Sequence, residues 1–314
     1  MTTRHHQLTT VRSFTVAALA LAAGTAMAQV SMSGRLDQSV VKTSPGKWEL
    51  TNGSANRLTI RGEDDLGDGT KSYFYLQHRF AGDTGLPRSA TQFWYYSYVG
   101  LEGKFGDLKL GNQSSPLDDG TNSDYEIFRG DTVASSVSRI AGGQKIWTNG
   151  VDYTTPTLAG LRVHVGVGLG EGATKTRGQG GSVLYDNKGL SLAASAQRSP
   201  TDVKTVAAGG SYKWEAVTVM GTWAHSERVP HPVTRAPTAE QTDIQVSAGY
   251  RIGIGEARVL YNTSELADVT TRVAGLGYFH FVSKRTALYG AASDTKQESK
   301  SSVQAYQVGL RHLF

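Results

Sequence analysis

The strongest constraint on this chain is a period of two. "VSMSGRLDQSVV" sets Val30, Met32, Leu36 and Val40 against Ser31, Ser33, Arg35, Asp37 and Ser39. "RLTIRG" alternates Leu58 and Ile60 with Arg57, Thr59 and Arg61. "GLRVHVGVGL" and "GLSLAASAQ" repeat the pattern with Leu161, Val163, Val165 and Val167, then with Leu190, Leu192, Ala194 and Ala196. Successive strand side chains point to opposite faces, so such runs read as strands with one apolar and one polar face. After residue 28 no stretch carries a 3.6-residue apolar stripe, which removes helical architectures.

Two kinds of connection alternate between these runs. The tight ones are "DLGDGT" (65–70), "EGKFGD" (102–107), "TPTLAG" (155–160), "DNKG" (186–189), "KWEA" (213–216), "RIGIGE" (251–256) and "VSKR" (282–285). The longer, polar ones include "TSPGKWELTNGSAN", "AGDTGLPRSAT", "RSPTDVK", "SERVPHPVTRAPTAEQ", "NTSELADV" and "SDTKQESKSS". Cutting at both kinds gives about sixteen strands, from period and turn signals alone. An antiparallel meander with short turns at one end and long loops at the other suits a transmembrane barrel. In hydrocarbon every backbone N–H and C=O must be paired inside the protein, so strands cross only as a closed cylinder. About sixteen strands enclose a ring too wide for side chains to fill, and the polar face then lines water. A soluble β-sandwich would instead bury the apolar faces between two sheets.

The two ends agree with that reading. Arg4 and Arg12 precede the apolar run "FTVAALALAA", and Ala26-Met27-Ala28 forms a small-residue cleavage site. This order of features predicts a secretory signal over residues 1–28 and a barrel domain over 29–314. Removing two arginines and no acid lowers the formal charge from +5 to +3, too little for a nucleic-acid binder of this length. The chain has no cysteine, hence no disulfide framework, thiolate metal site or thiol nucleophile. At the other end, Tyr306, Val308, Leu310 and Phe314 form the greasy stripe of a last strand, with Gln307 and Arg311 between them. A terminal aromatic fits the aromatic girdle of such a barrel. The final strand must also pair with the first, because a free edge in lipid is costly.

Several stretches resemble Gram-negative general porins of the Burkholderiales and Neisseria type: "SGRLDQSVV", "NRLTIRGEDDLGDGTKSYFYLQHRF", "YVGLEGKFGDLKLGNQ", "VDYTTPTLAGLRVHVGVG" and the closing "VGLRHLF". The resemblance implies an all-β, transmembrane antiparallel barrel of sixteen strands that passes ions and small hydrophilic solutes. It also implies a homotrimer in outer-membrane lipid and lipopolysaccharide, built by the barrel-assembly machinery, with a third external loop folded inward. The candidate for that loop is the longest non-alternating piece, residues 114–145, which carries Asp118, Asp119, Asp124, Glu126 and Asp131. Wall candidates on the polar parity are Arg35, Arg57, Arg61, Arg79 and Arg162, with Lys109 beside them. A basic wall facing an acidic loop makes a transverse field that small ions and polar solutes cross more readily than apolar ones.

The chain also departs from that family. Tyr95 stands where an Arg is common, Asn112 where Gly-Arg-Gln is usual, and Asp152 where an Arg often precedes the Tyr. Three basic positions are therefore missing, which predicts weak charge selectivity leaning slightly to anions. "FWYYSYVGL" (93–101) leaves two readings: an outer aromatic belt with packing under the loop, or a lumenal slide for sugars through Trp94, Tyr96 and Tyr98. A substrate-specific channel for sugars or organic acids is thus the alternative function. An enzyme on the same barrel would need a positioned nucleophile or water with acid and base partners. The histidines after residue 28, His78, His164, His225, His231, His280 and His312, are scattered, outside any G-x-S-x-G or metal-ligand spacing, and no cofactor motif occurs. "GVGLGEG" lacks the Lys-Ser/Thr of a phosphate loop.

Overall fold

The computed structural model describes residues 29–122, 124–137, 145–170 and 177–314. The proposed signal, residues 1–28, lies outside them. The strands are β1 (Gln29–Thr43), β2 (Trp48–Asn52), β3 (Asn56–Gly67), β4 (Thr70–Phe80), β5 (Trp94–Gly103) and β6 (Gly106–Ser114). Then follow β7 (Ile146–Thr154), β8 (Leu161–Gly168), β9 (Gly178–Asn187), β10 (Leu190–Arg198), β11 (Lys204–Trp214) and β12 (Val217–Pro230). β13 (Pro237–Ile252), β14 (Gly255–Leu266), β15 (Val269–Phe281), β16 (Thr286–Gln297) and β17 (Val303–Leu313) complete the set. Apart from β2 and β3, sequential neighbours pair antiparallel, so the sheet is a meander. β2 and β3 both pair with β1, at Gln38–Lys42 and at Gln29–Arg35. They are two halves of one stave, and the barrel has sixteen.

Closure is direct. β1 meets β17 over nine residue pairs, from Arg35↔Leu313 to Thr43↔Ala305. At the seam Phe314 N–H donates to the Gly34 carbonyl at 3.1 Å, and Gly34 N–H to the Phe314 carbonyl at 2.9 Å. The terminal ring occupies the space that a Cβ on Gly34 would need. A glycine in the first strand and an aromatic at the last residue are thus one packing device.

The faces sort as the alternation requires. Val30, Met32, Leu36 and Val40 point outward and are exposed, while Arg35, Asp37 and Ser39 are buried on the inner side. The same holds for Tyr306, Val308, Leu310 and Phe314 against buried Gln307. Phe105, Tyr212, Trp214, Tyr250 and Phe281 ring the outer face beside the tight turns. Leaving so many large apolar side chains in water would forfeit about 25 cal/mol per Å²; in hydrocarbon that cost vanishes. Among the described residues no helix is long and apolar enough to cross a membrane, so crossing falls to the strands.

The external end departs from the sequence reading in two places. "TSPGKWELTNGSAN" contains β2, which pairs with the outer half of β1, so the middle of this stretch is stave and not loop. Three of the expected long connections are also shorter: 199–203, 231–236 and only 267–268. The ladder of β13 with β14 continues from Ile252↔Gly255 up to Gln241↔Leu266, drawing "NTSEL" into strand. These stretches are mostly polar because they project beyond the hydrocarbon, although Trp48 and Leu50 stay exposed and Val203, Val229, Ala239 and Leu266 pack together. Polarity marked the water boundary there, not the end of hydrogen bonding.

Candidate pore constriction

β6 ends at Ser114 and β7 begins at Ile146, so the third external loop covers residues 115–145. Its residues 138–144 and Ser123 lie outside the described set. The loop begins with a short π-helical turn, Asp118–Asn122, and lies inside the barrel along the wall from β9 to β16. Leu117 is buried with Ala207 and Ala224, and Tyr125 with Leu184 and Ala193. Ile127, Phe128 and Ala134 sink among Leu260, Val273, Phe279, Tyr289 and Ala291. The strands make room with small inner residues: a Cβ on Gly209 would meet Tyr125, and one on Gly277 would meet Phe128.

The tip is pinned at the seam. Asp131 accepts from Arg35 at 3.1 Å and from Arg311 at 3.0 Å. Arg311 also donates to Asp37 at 2.7 Å. The fully buried Asp37 accepts further bonds from Tyr289 (2.6 Å) and Ser54 (2.7 Å). Gln307 accepts the Val133 N–H at 2.8 Å and donates to Ser39 at 2.9 Å. Arg35 and Asp131 therefore neutralise one another and act as a fastening. Breaking one member of such a buried pair leaves an uncompensated charge, which costs about 3–5 kcal/mol.

Glu126 is likewise removed from the water column. Its carboxylate is fully buried and accepts from Ser135 (3.1 Å) and from the Phe128 and Gly130 N–H groups (3.2 Å each). Burial pushes this carboxyl up to about 6, with the hydrogen bonds pulling the other way. A raised carboxyl titration point favours the docked, protonated form. Its stabilisation is complete below the ordinary value of 4.5 and is lost as pH rises through about 6. The difference amounts to about 2 kcal/mol. Open-channel current noise is therefore expected to increase from pH 5 to pH 7.5, and Glu126→Gln to flatten that dependence. The same slope in the variant would rule the assignment out.

What remains to face the lumen is an unequal pair of surfaces. On the wall, Arg57 and Arg79 sit directly opposite one another across β3 and β4. Like charges placed so are normally destabilising. Arg79 is held by Gln77 at 2.9 Å and lies 3.3 Å from the Tyr95 ring centroid. Such a stacked guanidinium keeps its charge while losing water at modest cost. Arg57 has no ion-pair partner among the described residues, and the exposed Arg88 adds charge beside Arg79. On the loop side, Asp119 and Asp124 are exposed and Asp118 half-buried, with exposed Arg129 among them.

The other wall candidates are paired. Arg61 meets Glu63 at 3.2 Å, Arg162 meets Asp186 at 2.8 Å, and Lys109 lies 3.6 Å from Asp107. Asp152 is buried 3.8 Å from His164, in the space above Gly166 and behind the loop's start.

The aromatic stretch divides between the two faces. Gln77 pairs with Tyr96 but His78 with Trp94, so Tyr95 is an extra residue in β5. Such a bulge resets side-chain parity. Trp94 packs outside with His78 and Phe93, whereas Tyr95, Tyr96 and Tyr98 turn inward. Asn112 secures the bulge by donating to the Trp94 and Tyr95 carbonyls at 3.3 and 2.8 Å. Tyr96 bonds Ser114 at 2.8 Å beside the loop's root, and Tyr75 stacks on Tyr98 with centroids 5.3 Å apart. Sequence reasoning passed over Tyr75. Its parity with Gln77 and Arg79 was the available signal.

A closed, wet-lined cylinder narrowed by a docked loop is a conduit for passive diffusion. Relatives share this architecture. A family model of the Gram-negative porins matches residues 15–300. Outer membrane porin protein 32 of Delftia acidovorans is 29% identical over 96% of this chain and 99% of its own. An anion-selective porin from Comamonas acidovorans superposes with a TM-score of 0.80 at 25% identity, over 91% of this chain and 100% of its own. The trimer form of OmpT from Vibrio cholerae shares the fold, with a TM-score of 0.71 at 15% identity over 91% of this chain and 99% of its own. Sixteen closed staves, an aromatic-girdled outer face and a loop-narrowed lumen agree with the sequence match: the chain belongs to the Gram-negative porin family and forms an outer-membrane diffusion channel.

Proposed function

We propose that this channel passes small hydrophilic solutes with a modest preference for anions. One observation carries the reading: Arg57 and Arg79 face the lumen as an adjacent pair of cations, while two of the loop's five acids are withdrawn from it. Glu126 is buried among hydrogen-bond donors and Asp131 is neutralised by Arg35 and Arg311. The remaining acids, Asp118, Asp119 and Asp124, offset part of the basic wall, and Asp152 and Asn112 add no positive charge. The anion selectivity named for the Comamonas porin points the same way.

The working form is a homotrimer, the form also seen for OmpT of Vibrio cholerae. The chain is cleaved after Ala28, assembled by machinery that reads its terminal Phe314, and embedded among lipopolysaccharide and phospholipid. Zero-current potentials in a KCl gradient across a planar bilayer test the preference. The expected chloride-to-potassium permeability ratio is above one, by about twofold to fivefold, or about 0.4–1 kcal/mol. A ratio below one would overturn it.

A further inference from the structure

The inward tyrosines border a space that passive diffusion of salt does not require. Between the β4–β6 wall and the loop's first turn lies a cavity of about 220 Å³, bordered by Tyr75, Tyr96, Tyr98, Lys109, Gln113 and Asp119. Drug-sized ligands occupy roughly 300–1,000 Å³, so this one suits a solute with a single ring. Its floor is aromatic: Tyr75 and Tyr98 stack at 14° between planes, and Tyr96 lies at 6.2 Å from Tyr75. Aromatic faces held in a water column are poorly hydrated, and they gain by covering C–H or π surface.

The edge is polar and carries both signs. Lys109 lies 5.8 Å from the Tyr98 ring centroid and Asp119 is exposed on the facing loop. Gln113 is only 2% exposed, yet its side-chain carbonyl has no hydrogen-bond partner among the described residues. Its amide nitrogen already donates to the Lys109 carbonyl at 3.4 Å, so the free oxygen is an acceptor awaiting a donor. An orphaned buried acceptor costs about 1–3 kcal/mol until something satisfies it.

These groups select among ligand classes. A flat aromatic carboxylate would stack, but Asp119 would repel it and it offers no donor to Gln113. A linear polyol has the donors but no rigid face to lay on the tyrosines. A pyranose has both, an apolar C–H face and a rim of hydroxyls. Lys109 already shares its charge with Asp107 at 3.6 Å, so the rim offers an anion no net positive charge, which favours a neutral ring. We propose that this cavity is a subsite for one pyranose ring. The face lies on Tyr75 and Tyr98 and the hydroxyls meet Asp119 and Lys109, with Gln113 turning its buried oxygen toward the ring. The inference rests on the channel reading above and adds a solute class to it.

Glucose titrated onto the purified wild-type channel in a planar bilayer tests the subsite. It should produce concentration-dependent current noise with a dissociation constant in the millimolar range, about −4 kcal/mol. Sorbitol, the open-chain counterpart, should not. Tyr98→Leu should weaken the glucose response by about tenfold or more, worth roughly 1.4 kcal/mol, with KCl conductance kept within about twofold. Tyr98→Phe, which keeps the ring, should retain the response, and Asp119→Asn should weaken it from the loop side. If Tyr98→Leu does not insert, the Tyr98→Phe and Asp119→Asn pair decides alone. An unaltered response in Asp119→Asn and Tyr98→Leu, or equal effects of glucose and sorbitol, would overturn the subsite. So would benzoate acting where glucose does not. Wild-type KCl steps with no glucose effect would sink the subsite and leave the channel standing.

Discussion

Replacing Arg57 and Arg79 together by Glu should reverse the channel's ion preference. The exchange alters the local charge from +2 to −2 at adjacent positions on the wall facing the loop. Because Arg57 has no ion-pair partner among the described residues and Arg79 leans on Tyr95 and Gln77, neither change breaks a buried pair among them. Folding should therefore be kept. Charges lining a low-dielectric passage act at short range and are poorly screened. The permeability ratio is expected to move by roughly tenfold or more toward potassium, about 1.4 kcal/mol. Arg35→Gln is the instructive contrast. That side chain is locked to Asp131 and the Ala55 carbonyl, so its loss should disturb the loop more than the selectivity. If the double variant stayed anion-preferring, the wall assignment would be wrong.

Phe128→Ala should loosen the constriction itself. Phe128 is fully buried at the centre of the largest apolar cluster, and its ring fills the space above Gly277. Removing a buried phenylalanine side chain typically costs about 3–5 kcal/mol. The barrel's own ladder does not depend on this residue, so the loss falls on loop docking. Leu117 and Tyr125 would still hold the first half of the loop, and the Asp131 fastening with the Val133–Gln307 bond would carry most of the tip. Single-channel records should show larger mean conductance and frequent transitions between levels, while heat-resistant assembly in detergent persists. Quiet channels of wild-type size would mean that the loop is held by something other than this contact.

Much of this could be read from residue order, and the reason is local. Alternation of Val30, Met32 and Leu36 with Arg35 and Asp37 fixes the faces without any tertiary knowledge, since the strand period admits two assignments and lipid selects one. The constriction loop stood out by length against short turns. What stayed hidden depends on contacts between distant residues. Arg35 reads as a lumen charge until Asp131, ninety-six residues on, arrives to neutralise it. Glu126 looks like one more loop acid, yet the Ile127-Phe128 pair beside it announces that this part of the loop is buried. The matching small residues, Gly209, Gly249, Gly275 and Gly277, lie on the inner parity of their strands. That pattern was visible in the sequence and went unused. Tyr95 shows the remaining limit. A single bulge residue reverses parity for Trp94 relative to Tyr96, and nothing in "FWYYSYVGL" marks where the extra residue falls.

The whole account depends on a continuous water column through the barrel, and conductance measures that column most directly. Purified protein added to a planar bilayer should give discrete upward steps. Their size should rise nearly in proportion to the conductivity of the bathing KCl, as expected when ions cross largely hydrated, and closures should come in groups of three. An inserted barrel that gave no steps, or steps that saturated at low salt as in a dehydrating single-ion path, would contradict it.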